Sequence, residues 1–389
     1  MPHPDVVIVG AGINGCAAAF HLARAGCRVT VVERYAPGAM ASGWTLAGVR
    51  QSGRHPAELP LARAAVALWA GLDEELDGDV GYRREGNLRL ARSEAEVAVI
   101  RTLVEDQRRA GLDLAFLPDS RTVREVCPAI APTVLAASFC PTDGHADPQA
   151  AVAAYRAAAI RHGAVFRSGV AATAVLTAAG RTTGVALADG TTLAAGAVLV
   201  AAGIQANALL APLGLGVPLR VPMVTVVQSA PLPPLLRPVL GVANADCAGR
   251  QQIDGRLRVT SGLQGWHGAM DADGPLPAVH PTAASLAATI ATVSAVLPAL
   301  AAAPVARVWA GLIDLTPDAL PVIERAPELD GLVIAAGFSG HGFGIAPATG
   351  RLLSELVLGE TPHLPLDAFR RARFAAAAGQ EQAALTLHG

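Results

Sequence analysis

The sequence predicts an α/β protein of two domains. One is a parallel sheet assembled from separated segments; the other is a second α+β domain on a mostly antiparallel sheet. Three observations predict it. Apolar runs ending on glycine recur at the start, middle and end of the chain: Val6 to Val9 before Gly10, Ala197 to Ala202 before Gly203, and Leu332 to Ala336 before Gly337. The first of these opens a strand–helix–strand pattern. In the intervals, short strands alternate with glycine- and proline-rich turns, as in antiparallel sheets.

Val6-Val7-Ile8-Val9 reads as a buried strand, Ala17 to Arg24 as a helix stopped by Gly26, and Val29 to Val32 as a second strand that delivers Glu33. Gly10-Ala11-Gly12-Ile13-Asn14-Gly15 therefore sits at a strand-to-helix turn. Gly10 permits the turn, Gly12 lets backbone approach a pyrophosphate, and Gly15 lets helix pack on strand. Free N–H groups and the helix dipole meet the phosphate charge. Glu33, about 20 residues on, accepts ribose hydroxyls and repels a 2′-phosphate.

A Gly- and Ser-rich loop, Ala36 to Arg54, comes next. Helices follow at about Leu59 to Leu72 and, after the strand-like Asn87-Leu88-Arg89-Leu90, at about Ser93 to Gly111. Asp143 to Pro148 starts a helix through Ala151 to His162. Three short strands turn at Gly180-Arg181 and Asp189-Gly190. Leu219 to Ser261 reads as strands, among them Val221 to Gln228 and Leu257 to Thr260. The uncharged Thr282 to Ala306 is mostly Ala, Ser and Thr, with three prolines in or beside it, and reads as a soluble amphipathic helix rather than a membrane span. A helix at Pro347 to Leu358 precedes an Ala-rich tail. The expected division is 1–80, 140–215 and 307–365 for the parallel domain, 81–139 and 216–306 for the second, and 366–389 for the tail.

With 389 residues and a net charge of −2, the chain lacks the basic footprint of a nucleic-acid binder. Cys16, Cys27, Cys127, Cys140 and Cys247 are scattered, which predicts no metal site and a reducing compartment, the cytoplasm. Met1 to Asp5 has no signal-peptide character.

A second glycine cluster, Gly337-Phe338-Ser339-Gly340-His341-Gly342-Phe343-Gly344, joins an apolar strand to a helix. It leaves N–H groups free where a reduced flavin would place negative charge, a demand that a nicotinamide does not make. That tips the expected cofactor from NAD to FAD, on a Rossmann-like domain.

At this point the chain resembles the FAD-dependent D-amino acid oxidase/sarcosine oxidase superfamily. The resemblance rests on the first fingerprint with Glu33, Ala41-Ser42-Gly43, Asp143-Gly144 with Asp147-Pro148, Val200 to Gly203, Trp309-Ala310-Gly311 with Thr316-Pro317-Asp318, and Gly337 to Gly342. Trp309 to Asp318 and Ala47 to Gln51 are most similar to the sarcosine oxidase β-subunit and imino-acid dehydrogenase branch. The resemblance implies hydride transfer from a carbon beside nitrogen to flavin N5, and an imine product. It implies that Gly10, Gly12, Ile13, Asn14, Gly15, Glu33 and Arg34 hold the ADP half, with Val170 contacting adenine through its backbone. Ser42, Ala47, Gly48 and Val49 would line the ring system. Gly340, His341, Gly342 and Gly344 would face its pyrimidine edge, and Gly203, Gly337 and Phe343 complete the set.

The departures are informative. Gly311 stands where monomeric sarcosine oxidases carry the cysteine that bonds flavin, so the FAD is expected to be non-covalent. Gly344 stands where they carry an oxygen-activating lysine, and Ile313 where related enzymes carry a carboxylate-binding arginine. These features favour a dehydrogenase, with a quinone, a partner subunit or O₂ as acceptor, and leave the carboxylate anchor open.

Arg50 is the expected substrate anchor, since a guanidinium holds a carboxylate through two parallel bonds; Arg54 and Arg250 are weaker candidates. His341 is expected beside the flavin or substrate. Asp314 and Asp318 read as turn carboxylates, His267 as structural and Cys16 as core. The expected function is C–N oxidation of a small secondary amine, imino acid or D-amino acid. Its rivals are a 2-hydroxy acid dehydrogenase, and a flavin subunit or assembly factor of a larger complex.

Overall fold

The computed structural model describes residues 5–376. The leader reading at Met1 to Pro4 and the tail beyond residue 376 lie outside the described residues.

The three apolar runs come together as neighbours. A six-stranded sheet has the order Val322–Arg325, Leu332–Ala336, Ala197–Val200, Val6–Val9, Val29–Glu33, Val165–Ser168. All neighbours are parallel except the first pair. Val6 pairs with both Val29 and Ala197, and Val198 pairs with Leu332. Strands covered on both faces need continuous apolar sequence, which is why these runs lack alternation. Ile8, Val31, Leu199 and Val333 face the helices Ile13–Arg24, Pro148–Arg161 and Ala346–Leu358. Val7, Val9, Val198 and Val200 face the three-stranded antiparallel meander of Ala172–Ala178, Arg181–Leu187 and Thr192–Ala194. The strands' C-terminal ends lie at one edge, where such sheets bind ligands.

An eight-stranded sheet forms the second layer: Val305–Leu312, Met223–Pro231, Arg256–Ser261, Cys247–Gln251, Val239–Val242, Asn87–Ala91, Ala136–Cys140 and Ala115–Leu117. Only Val239–Val242 and Asn87–Ala91 pair in parallel. Val305–Leu312 belongs to this sheet by its pairing with Met223–Pro231. Alternation sets its two faces. Leu88, Leu90, Leu240, Val242, Leu257 and Val259 pack with Val293 and Val296 of the helix Ala283–Val296. Asn87, Arg89, Gly241, Ala248, Thr260 and Val226 lie on the opposite face, toward the first domain.

The uncharged segment is helical only to Val296; Pro298 then starts a short 3₁₀ turn and Val305 a strand. No described helix is long and apolar enough to cross a membrane. The five cysteines are unpaired, and among the described residues no group of His, Cys, Asp or Glu could hold a metal ion.

Candidate active site

A single cavity runs from the edge of the parallel sheet to the polar face of the eight-stranded sheet. At its first end the fingerprint has the expected geometry. Gly10 adopts φ +110°, and a Cβ there would lie 2.3 Å from the Ala201 carbonyl oxygen; one at Gly15 would lie 2.0 Å from the Gly10 oxygen. Neither position can carry a side chain. Gly12 is the residue before the helix Ile13–Arg24, whose first-turn amides have no intrahelical acceptor. Ser42 Oγ accepts from Ile13 N at 2.9 Å, so Ser42 stands at this helix start. Gly12, Asn14 and Gly15 line the cavity. Glu33 accepts from Ala11 N at 2.7 Å and Tyr35 N at 2.8 Å, which fixes its carboxylate at the rim beside Arg34, Ala171 and Ala172.

The second glycine cluster meets the middle of the cavity. Asp314 accepts from Gly337 N at 2.8 Å, and the loop turns through Ser339 (φ +53°) and Gly340 (φ +82°). Gly340, Gly342 and Phe343 line the cavity, and the N–H groups of Gly342 and Phe343 take no acceptor among the described residues. Gly48 faces them, with nothing within 4 Å of a Cβ built on it. Burial pushes the Asp314 carboxyl up to about 6, against the pull of the Phe338 and Gly337 amides.

Behind this loop, His341 and Glu58 form a buried pair, Nδ1 to Oε2 at 3.1 Å, and Arg54 approaches the same oxygen at 3.8 Å. Burial opposes charge on Glu58, but His341, Arg54 and Arg50 together hold its pKa down at about 2. Burial, and then the Arg54 charge, lower the His341 pKa against the opposing pull of Glu58, which favours the neutral imidazole. An ionised Glu58 can only accept, so Nδ1 carries the proton and Nε2 keeps a lone pair with no protein partner.

Arg50, Arg54 and Arg89 all line the inner end of the cavity, and all three are buried. Arg50 Nη1 donates to the Ser52 carbonyl at 3.1 Å, and Arg54 Nε to the Arg50 carbonyl at 3.3 Å. A Cβ on Gly53 would lie 2.6 Å from Arg89 Nη2 and 3.4 Å from Arg50 Nη1, so the two guanidiniums lie side by side over this glycine. Asp143 sits beneath, accepting from Gln51 N at 2.9 Å and from Ser52 N at 3.2 Å.

The structure therefore brings Gly10, Gly12, Ile13, Asn14, Gly15, Glu33, Arg34, Ser42, Gly48, Arg50, Gly203, Gly340, Gly342 and Phe343 onto one cavity. Six expected residues do not line it. Val170 donates its amide to the Glu33 carbonyl at 3.1 Å, and Ala171 and Ala172 line in its place. Ala47 and Val49 are buried behind Thr45, Leu46 and Gly48. Gly337, His341 and Gly344 form the back of the second cluster, with the Gly344 carbonyl accepting from Trp69 Nε1 at 2.8 Å. Arg250 is bonded to His145 at 2.9 Å away from the cavity, Asp318 pairs with Arg373 at 2.7 Å, and His267 is exposed. Arg89 and Glu58 are the site residues that sequence reasoning missed.

Two glycine cradles that exclude side chains, unpaired amides at the second, and a carboxylate fixed at the ribose end fit a flavin dinucleotide. Fold and site together define a nucleotide-dependent redox enzyme. The chain belongs to the DAO family of FAD-dependent oxidoreductases, whose model matches residues 5–356. It is 28% identical to sarcosine oxidase subunit beta of Arthrobacter sp over 381 residues, covering 95% of this chain and 91% of that protein. It is also 28% identical to the glycine oxidase of Bacillus subtilis (strain 168), covering 92% and 93%. The structure of L-proline dehydrogenase from P. horikoshii superposes with a TM-score of 0.88 at 28% identity, covering 97% and 99%.

Proposed function

We propose that the chain oxidises the C–N bond of a small secondary amine, imino acid or D-amino acid, giving an imine that water hydrolyses. The observation that carries this reading is the continuity of one cavity from the dinucleotide cradle to a chamber of buried guanidiniums under the eight-stranded sheet. FAD, when bound, supplies the two-electron acceptor. The first fingerprint, Glu33 and Arg34 hold the ADP half, with Val170 at the adenine edge. Ser42, Ala47, Gly48 and Val49 support the ring system from one side. Gly203, Gly337, Gly340, His341, Gly342, Phe343 and Gly344 support it from the other. Arg50 holds the substrate carboxylate. The apolar walls Val224, Val226 and Leu312 exclude water and favour the neutral amine, whose lone pair assists loss of hydride without a strong base. His341, fixed by Glu58, positions the glycine loop and offers Nε2 as an acceptor beside it.

A Cβ at Gly311 would lie 3.5 Å from Trp44 Cβ, and glycine has no nucleophile, which supports non-covalent FAD. Gly344 supplies no charge, which supports a dehydrogenase that uses a dye, quinone or partner subunit. Arg54 Nη2 lies 3.6 Å from where a Cβ of residue 344 would stand, and this specific contact favours the second reading, an oxidase. The likeness to a protein named as a subunit supports a hetero-oligomer, and the unpaired cysteines support the cytoplasm. Incubation with N-methylglycine, proline and D-alanine plus an artificial dye tests the reaction: carbonyl product with dye reduction is expected, and none across the panel refutes it. Stopped-flow reoxidation by O₂ as fast as by dye would make the enzyme an oxidase.

A further inference from the structure

The strand Asn87–Ala91 carries two polar side chains into the cavity, and neither makes a hydrogen bond with a described residue. Arg89 is 6% exposed, and it makes no hydrogen bond or ion pair with any described residue. Burial, and then the Arg54 charge, lower its pKa to about 10, so it remains a cation at neutral pH. A buried guanidinium without an acceptor is costly unless a ligand completes it. Asn87, two residues before it on the same strand, lines the cavity beside it.

The neighbouring floor is bare. Gly241 lies directly opposite Arg89 in the parallel ladder, and Ala248 directly opposite Gly241. A Cβ built on Gly241 would meet nothing within 4 Å. Next in the same row come Thr260 and Val226, also in the lining. One row of the sheet thus runs from a cation, across open floor, to an apolar wall. Around Arg89, three guanidiniums, Arg50, Arg54 and Arg89 itself, share two carboxylates, Asp143 and Glu58. One positive charge is left over.

We infer that Arg89, with Asn87, completes from the sheet side the grip on the substrate's single carboxylate that Arg50, beside it over Gly53, provides from the loop, and that Gly241 sets the size of the apolar group carried over the sheet floor. The substrate class is then a small, apolar monocarboxylic amino or imino acid, not a dicarboxylate and not a simple amine. This rests on the C–N oxidation reading, but its test does not use turnover.

Propionate, acetate, cyclopentanecarboxylate and succinate cannot be oxidised at a C–N bond. Each is titrated into the FAD-loaded protein, followed by the visible flavin spectrum and by equilibrium dialysis. Propionate is expected to bind saturably, and succinate no more tightly. Arg89→Ala is expected to weaken propionate at least a hundredfold, the scale for leaving one side of a buried ion pair alone, and Arg89→Lys less. Gly241→Val should weaken cyclopentanecarboxylate at least tenfold while sparing acetate. FAD content after denaturation and the melting curve establish that each variant is folded and loaded. Unchanged propionate binding in loaded Arg89→Ala overturns the assignment, as does far tighter binding of succinate. Failure to turn over any amine, with these binding results intact, would instead strike the C–N oxidation reading alone.

Discussion

Gly12 and Gly15 are three residues apart in one helix start, yet the structure gives them separable jobs. A Cβ at Gly15 would lie 2.0 Å from the Gly10 carbonyl oxygen, a rigid backbone atom in the central strand's turn. Gly15→Ala must push the helix Ile13–Arg24 off the sheet, and overpacking of this kind costs about 1–3 kcal/mol. A Cβ at Gly12 would meet only Ser42 Oγ, at 3.1 Å, and that side chain can rotate. The fold then loses at most the bond to Ile13 N, about 0.5–1.5 kcal/mol. The same methyl group nevertheless stands where backbone must approach a pyrophosphate. Loss of a charge-assisted bond there is worth about 1.5–3 kcal/mol, or roughly tenfold to a hundredfold in FAD affinity. Apoprotein melting and FAD titration of both variants separate the effects. Gly15→Ala lowers the melting temperature; Gly12→Ala leaves it nearly unchanged and weakens FAD. Wild-type FAD affinity in Gly12→Ala would refute the reasoning.

Glu33→Ala removes the acceptor of two amides and the ribose partner, so FAD affinity should fall by about 1–3 kcal/mol with kcat at saturating FAD little changed; collapse of kcat at unchanged affinity would place Glu33 wrongly. Arg50→Ala should raise KM for a carboxylate substrate by the equivalent of about 3–5 kcal/mol and spare a matching amine without the carboxylate; equal effects would reduce Arg50 to a loop support. Glu58, with its folded pKa lowered from 4.5 to about 2, stabilises the protein above 4.5, and that contribution is lost as pH falls from 4.5 toward 2. Urea unfolding should therefore show wild type more stable than Glu58→Gln at pH 7, by about 3 kcal/mol, and the gap should narrow markedly at pH 3; a constant gap would mean that Glu58 is not the ionised partner described.

The dinucleotide unit was legible because all its signals are local: strand, turn, helix and acid fall within 28 residues, Val6 to Glu33. The separated strands of the parallel sheet were legible because burial on both faces leaves apolar runs that stand out. Arg89 was not. Asn87 and Arg89 alternate with Leu88 and Leu90, a pattern shared by any half-exposed strand. What turns that polar face into a site is pairing with Val239–Val242, some 150 residues away. Glu58 was hidden for the same reason, since its partner His341 is 283 residues distant. Val170, Ala47 and Val49 stand next to residues that line the cavity, Ala171, Leu46 and Gly48, because pattern alone does not fix facing to the single residue.

The most direct test of C–N oxidation is anaerobic mixing of the yellow protein with matched pairs of substrates, proline or D-alanine against the corresponding 2-hydroxy acids, while the flavin absorbance is followed. The account predicts rapid bleaching by at least one amino or imino acid and none by its hydroxy counterpart. Bleaching by the hydroxy acid alone would contradict it.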